Sequence, residues 1–146
     1  MADTLTLLHE QAQRARDEAL LALRQAEARA QAARAQARDL GDYQQQYDRR
    51  WLESFRQQAT GMAVVQAHQQ FGLRLQEAIG QQAQQAAVLD ARLAAARQRV
   101  VEQERQVAKV ARLIERRQAE RQVREQRAEQ KAMDEFGAQR HRMPPT

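Results

Sequence analysis

The stretch ALLALRQAEARAQAARAQA (residues 19–37) decides the fold. Ala19, Leu23, Ala26, Ala30, Ala33 and Ala37 recur in it at three- and four-residue steps. A helix with 3.6 residues per turn carries all six on one side and leaves Gln, Arg and Glu on the other. The same line runs upstream through Ala15, Ala12, Leu8 and Leu5, and downstream through Leu40, Gln44, Tyr47 and Trp51. It is a heptad-like seam, with one 4-4 step around Ala19 and Leu23 that would locally unwind a supercoil. Asp3 or Thr4 is placed to cap its start. Because the line is mostly Ala, a partner helix approaches closely and each layer buries little area. Stability must then come from length.

The seam stops near Phe55 and is followed by Thr60-Gly61, where glycine suits the left-handed position just past a helix end. A second seam runs through Val64, Phe71, Leu75, Ala78, Gln82, Ala86, Leu89, Leu93, Ala96, Val100, Gln103, Val107, Val110 and Ile114. A short connection makes two long helices antiparallel neighbours. The expected fold is therefore all-α: one antiparallel coiled-coil hairpin over 1–146, with helix 1 at about 4–58, the turn at 59–63, helix 2 at about 64–140 and a disordered tail at 141–146. If the turn centres on 59–60, partners across it sum to about 119, which places Leu5 opposite Ile114. Nothing in helix 1 then remains to cover later residues. The second seam fades at the same place, since 115–131 offers only Ala119, Val123 and Ala128 among charged residues and Gln. The longer second helix should continue as an unpaired overhang, giving it a length on the order of 115 Å. Pairs such as Glu120 with Arg124 support it, and Gly137 and Pro144-Pro145 end it.

Composition agrees with this reading. The chain holds 29 Ala, 26 Gln and 22 Arg among 146 residues, only 4% aromatic residues, and both prolines in its last three positions. Such a sequence fills no sandwich, barrel or α/β core, yet its commonest residues are good helix formers. Without cysteine, disulfides, thiolate metal sites and thiol nucleophiles are excluded. No apolar run approaches a membrane span and no signal pattern opens the chain, so a cytoplasmic location is expected. His9, His68 and His141 are scattered, no Gly-rich phosphate loop exists, and neither an enzyme nor a cofactor or metal is expected. The formal charge of +5 is uneven. Residues 1–96 balance, while 97–142 carry 13 basic and 8 acidic side chains. A basic stretch raises a polyanion as partner, although acids interleave with it.

Large rings concentrate near the turn. Tyr43, Tyr47, Trp51 and Phe55 follow at four-residue steps, and Phe71 faces them from the second helix. An Ala-lined seam has no room for all five, so some are exposed, as at binding surfaces. The alternative is a small local core that closes the turn. Gly41, Gly72 and Gly80 lie near the same end, which suggests a looser tip or room for a partner's backbone.

Three segments resemble a known family in order and separation. Asp42-Tyr43-Gln44-Gln45-Gln46-Tyr47 is similar to the D-Y-x-x-x-Y signature of the flagellar export FliJ family. Phe71, Leu75, Glu77, Ala78 and Ile79 resemble its F-x-x-x-L-x-x-A-I stretch, and Gln130-Lys131-Ala132-Met133-Asp134-Glu135-Phe136 resembles its Q-K-x-M-D-E-F/x segment. The resemblance implies a non-enzymatic part of the type III export machine, needed for flagellum biogenesis and motility. Such proteins promote assembly and activity of the hexameric export ATPase ring, bind the export-gate membrane protein FlhA, and exchange with substrate-specific export chaperones. It also implies a cytoplasmic protein peripherally associated with the inner membrane at the flagellar base. Carried over by position, the gate-binding residues are Gln36, Leu40, Tyr43, Tyr47, Phe71, Leu75 and Ala78, with Gln82 standing where the family usually has His. Pairing sums place Tyr47 near Phe71 and Gln36 near Gln82, so the two sets form one stripe, although a packed seam has the same spacing. On this reading residues 1–30 and the basic overhang enter the ring, where Arg112, Arg116, Arg121 and Arg124 face acidic loops. The rival readings are an Arg-rich nucleic-acid-binding coiled coil, a structural dimer joined through the overhang, and the equivalent stalk of a virulence secretion system.

Overall fold

The computed structural model describes residues 4–57 and 61–142, which form two α-helices that pack against each other; among these residues there is no strand. Helix α1 spans Thr4–Gln57 and α2 spans Met62–Arg142. The expected cap Asp3, the turn centre at 59–60 and the residues after Arg142 lie outside the described residues. Two compact units are distinguished. One joins α1 up to Arg16 with α2 from Glu102 onward, and the other comprises Asp17–Val101.

Helix α2 starts two residues before the expected Val64. The Gly61 carbonyl accepts from the backbone N–H of Val64 (3.1 Å) and Val65 (3.2 Å), closing the first turn. Among the described residues no glycine has a positive φ. Gly61 thus leads into α2 instead of adopting the expected left-handed stop. Nor does Gly137 end the helix, which runs through it and through the expected tail residues His141 and Arg142. Arg140, His141 and Arg142 in the last turn complement the helix dipole.

In the Asp17–Val101 unit, Ala19, Ala30, Ala33, Leu75, Leu93 and Val100 are buried, with Ala30 fully so. In the other unit the buried residues are Leu5, Ala12 and Val110. No described side chain is both polar and buried, so neither unit has a charged interior to compensate.

The burial pattern corrects the seams in three places. On α1, Leu8 is exposed and His9 half-buried in its stead. Arg16 is half-buried beside Ala15, so the line 12, 16, 19, 23 keeps an alternation of four and three. The expected 4-4 step came from counting apolar residues alone; the stem of an arginine also fills a seam position. On α2, Val64 and Phe71 lie outside the seam, which passes instead through Val65, His68, Gly72 and Leu75. From Leu75 to Ile114 every expected seam residue is buried or half-buried. Beyond it the pattern ends: each described residue from 115 to 142 is exposed.

Candidate functional site

The rings near the start of α2 form one cluster inside the Asp17–Val101 unit. Four-residue spacing on α1 stacks Tyr43, Tyr47, Trp51 and Phe55 along one flank. Tyr43 and Tyr47 lie nearly parallel with centroids 6.4 Å apart, and Trp51 and Phe55 are equally spaced. From α2, Phe71 packs against Tyr47 at 4.6 Å and presents an edge to Tyr43 at 6.5 Å. These centroid distances are those at which ring quadrupoles attract.

The residue that joins the cluster is His68. Its imidazole lies flat on the Trp51 indole, with centroids 3.9 Å apart and planes 3° from parallel. It also stacks beside Tyr47 at 5.3 Å, and its Nδ1 shares a hydrogen bond of 3.0 Å with the Tyr47 hydroxyl. Composition gave no reason to single it out, because an isolated histidine matches no metal or catalytic spacing. The pairing sum of 119 that sets Leu5 against Ile114 also sets His68 against Trp51, and that was the available signal.

Further along the unit, Gln82 Nε2 donates to Gln36 Oε1 (3.1 Å) and to the Ala33 carbonyl (3.3 Å). Arg34 donates through Nε (3.0 Å) and a terminal nitrogen to Asp90 Oδ1. Taken in order, Trp51 meets His68, Tyr47 meets Phe71, Gln36 meets Gln82 and Arg34 meets Asp90. As the α2 number rises, the α1 number falls.

The seven residues expected to bind a gate divide by exposure. Gln36, Tyr43 and Phe71 are exposed, Tyr43 at 48% and Phe71 at 37%. Leu40, Tyr47 and Ala78 are half-buried, and Leu75 is buried with 7% exposure. Leu75 therefore supports the patch from beneath. A partner approaching from solvent meets Tyr43 and the outer side of Phe71, with Tyr47 between them. Exposed Leu52, Phe55 and Leu73 widen this apolar surface. A shallow groove beside it is lined by Gln44, Asp48, His68, Gly72 and Leu73. No metal-holding group of His, Asp and Glu occurs among the described residues.

The sequence model of the family described as "Flagellar FliJ protein" matches residues 1–145. The chain belongs to the FliJ family. Membership makes it a protein of the flagellar export apparatus. Among curated proteins no match is found. The D-Y-x-x-x-Y and F-x-x-x-L-x-x-A-I segments meet in the ring cluster, whereas the Q-K-x-M-D-E-F segment lies in the fully exposed part of α2. There Gln130 Nε2 donates to Asp134 Oδ1 (3.2 Å), the Arg140 guanidinium sits 5.6 Å over the Phe136 ring, and Met133 is exposed.

The four arginines expected to contact a ring are all exposed, but helical geometry does not give them one face. At about 100° per residue, Arg112 and Arg116 lie close together, Arg124 stands at the side and Arg121 points more than a third of a turn away from Arg116. Glu120 pairs back with Arg116 Nε at 3.5 Å, not forward with Arg124. No helix among the described residues is long and apolar enough to cross a membrane.

Proposed function

We propose that this chain is the non-enzymatic stalk of a flagellar type III export machine, which promotes assembly and activity of the hexameric export ATPase ring and couples it to the export gate. The observation that carries the reading is the ring cluster. Two segments far apart in a family-wide match converge on one surface whose outer members, Tyr43 and Phe71, remain exposed. Buried Ala at the seam and exposed aromatic rings beside it are what a rigid support carrying a protein-binding patch requires. The reversed order of the cross-helix pairs supports an antiparallel coiled-coil hairpin. The unbroken exposure of 115–142 supports an unpaired overhang of α2.

In this account the gate protein, of the FlhA type, docks on Tyr43, Tyr47 and Phe71, with Gln36 and Leu40 at the margin. The exposed basic part of α2 meets acidic loops of the ATPase ring through Arg112 and Arg116 on one face and Arg124 beside them. Substrate-specific export chaperones share the exposed apolar surface. The protein works in the cytoplasm and is peripherally associated with the inner membrane at the flagellar base. It needs no cofactor.

Copurification tests the assignment. The chain should retain the flagellar export ATPase in preference to the ATPase of a virulence secretion system. Removing residues 115–146 should weaken that retention and leave gate binding intact. Equal retention of both ATPases, or retention unaffected by the truncation, would refute the division of roles.

A further inference from the structure

On α2, residues 105, 109, 112, 116, 119 and 123 step alternately by four and three, and Arg127 follows one turn later. They are Arg105, Lys109, Arg112, Arg116, Ala119 and Val123, and every one is exposed. At about 100° per residue they fall within an arc of about 80°, on the opposite side of the helix from Val107, Val110 and Ile114. The acids of this stretch lie off the line. Glu125 stands nearly behind it, Glu115 about a quarter-turn away, and Glu120 at its edge, held by Arg116. Two shallow grooves follow the line. Ala108 and Leu113 flank the cations in one, while the other is lined by Ala119 and Val123 with Glu120 and Arg124 at its side. The result is a face about 33 Å long, with four cations in its first half, Ala119 and Val123 beyond them and Arg127 at its end.

We propose that this face adsorbs on an anionic lipid surface, with headgroup phosphates as its ligands. Charge complementarity argues for it, and shape selects among polyanions. A straight line of cations touches a plane along its whole length, whereas a duplex, itself convex, meets a straight helix over a short segment. No aromatic residue lies on the face to stack the bases of a single strand. Small side chains between the cations let the helix lie low while the Arg and Lys stems reach outward to phosphate. With no span among the described helices, the attachment is electrostatic and reversible. The inference gives a face and a ligand to the peripheral association proposed above and rests on that reading for its cellular setting alone. Arg112 and Arg116 serve both surfaces, so a chain seated in the ring leaves the membrane.

The test uses the full chain and vesicles, with no export component present. Vesicles of phosphatidylcholine alone are compared with equimolar phosphatidylcholine and phosphatidylglycerol by cosedimentation. Binding is expected only to the anionic vesicles and should be lost at about 1 M salt, where the Debye length falls to about 3 Å. The variant Arg105→Gln, Lys109→Gln, Arg112→Gln, Arg116→Gln keeps good helix formers and should bind on the order of a thousandfold more weakly. A control that removes four cations elsewhere (Arg24→Gln, Arg29→Gln, Arg38→Gln, Arg74→Gln) should bind like the parent. Far-UV circular dichroism checks that both remain helical. No binding to anionic vesicles, equal loss in both variants, or preferential capture by duplex DNA with the same variant dependence would each overturn the proposal. None of these results bears on ATPase or gate binding, so the family reading stands or falls separately.

Discussion

Leu75→Ala and Tyr43→Ala separate the supporting part of the aromatic patch from its working surface. Leu75 is 7% exposed. Truncation to Ala removes three carbons, each worth about 0.8 kcal/mol when buried, so about 2 kcal/mol is lost. The cavity term adds little, because a two-helix seam is open at its sides and can close inward. The melting temperature should fall by about 5–8 °C. Tyr43 is 48% exposed, with its ring centroid 6.4 Å from that of Tyr47 and 6.5 Å from that of Phe71. Its two ring contacts, half exposed and near the outer limit of ring attraction, belong at the low end of the roughly 0.5–1.5 kcal/mol range and total about 1 kcal/mol. Replacing an aromatic residue by Ala in a helix returns about 0.5 kcal/mol. The net cost should stay below about 1 kcal/mol. Thermal melts followed by circular dichroism at 222 nm measure both variants against the parent. If Tyr43→Ala destabilises as much as Leu75→Ala, the exposed rings are core, and the argument that the patch is free to bind fails.

Three further outcomes follow. A Cβ built at Gly41, Gly72 or Gly80 meets nothing within 4 Å, so each Gly→Ala change should raise stability by about 0.5–1 kcal/mol; destabilisation in a urea melt would refute the open space around these positions. His68→Ala uncovers one face of the only tryptophan, so Trp51 emission should shift to longer wavelength with helicity unchanged, and an unmoved spectrum would deny the stack. Removing residues 115–146 deletes no buried described side chain. About a fifth of the helical signal should vanish while the melting temperature moves by no more than about 2 °C, and a large drop would mean that the exposed stretch is packed.

The long Ala and Leu lines were legible because an alternation of three and four needs only small or apolar residues to reveal it. Ala19, Ala30, Ala33, Leu93 and Val100 are buried where that pattern places them. It misled where size or amphipathicity mattered. Phe71 is apolar and fits the seam pattern, but the seam passes through Val65, His68 and Gly72, and the ring packs on the flank against Tyr47. Leu8 yields to His9 and Ala15 shares its place with Arg16, because partly polar side chains can bury their stems. The cross-helix pairs Tyr47–Phe71 and Gln36–Gln82 followed from a single pairing sum. His68 followed from the same sum but carried no chemical signature that drew attention to it. The arginines were chosen by composition, which is blind to rotation about a helix axis, and so Arg121 was grouped with residues on another face. Gly61 and Gly137 looked like stops because glycine favours helix ends; one precedes a helix here and the other lies within it.

The most direct test titrates the purified chain against the cytoplasmic part of a flagellar export-gate membrane protein, comparing the parent with the double variant Tyr43→Ala, Phe71→Ala. Isothermal calorimetry reports binding, and circular dichroism on the same samples reports helicity. The parent should bind saturably and the variant should not, with nearly the same helical content in both. Undiminished binding by the variant, or a collapse of helicity that accompanies the loss, would contradict the claim that these rings form an exposed docking surface on a self-supporting helical scaffold.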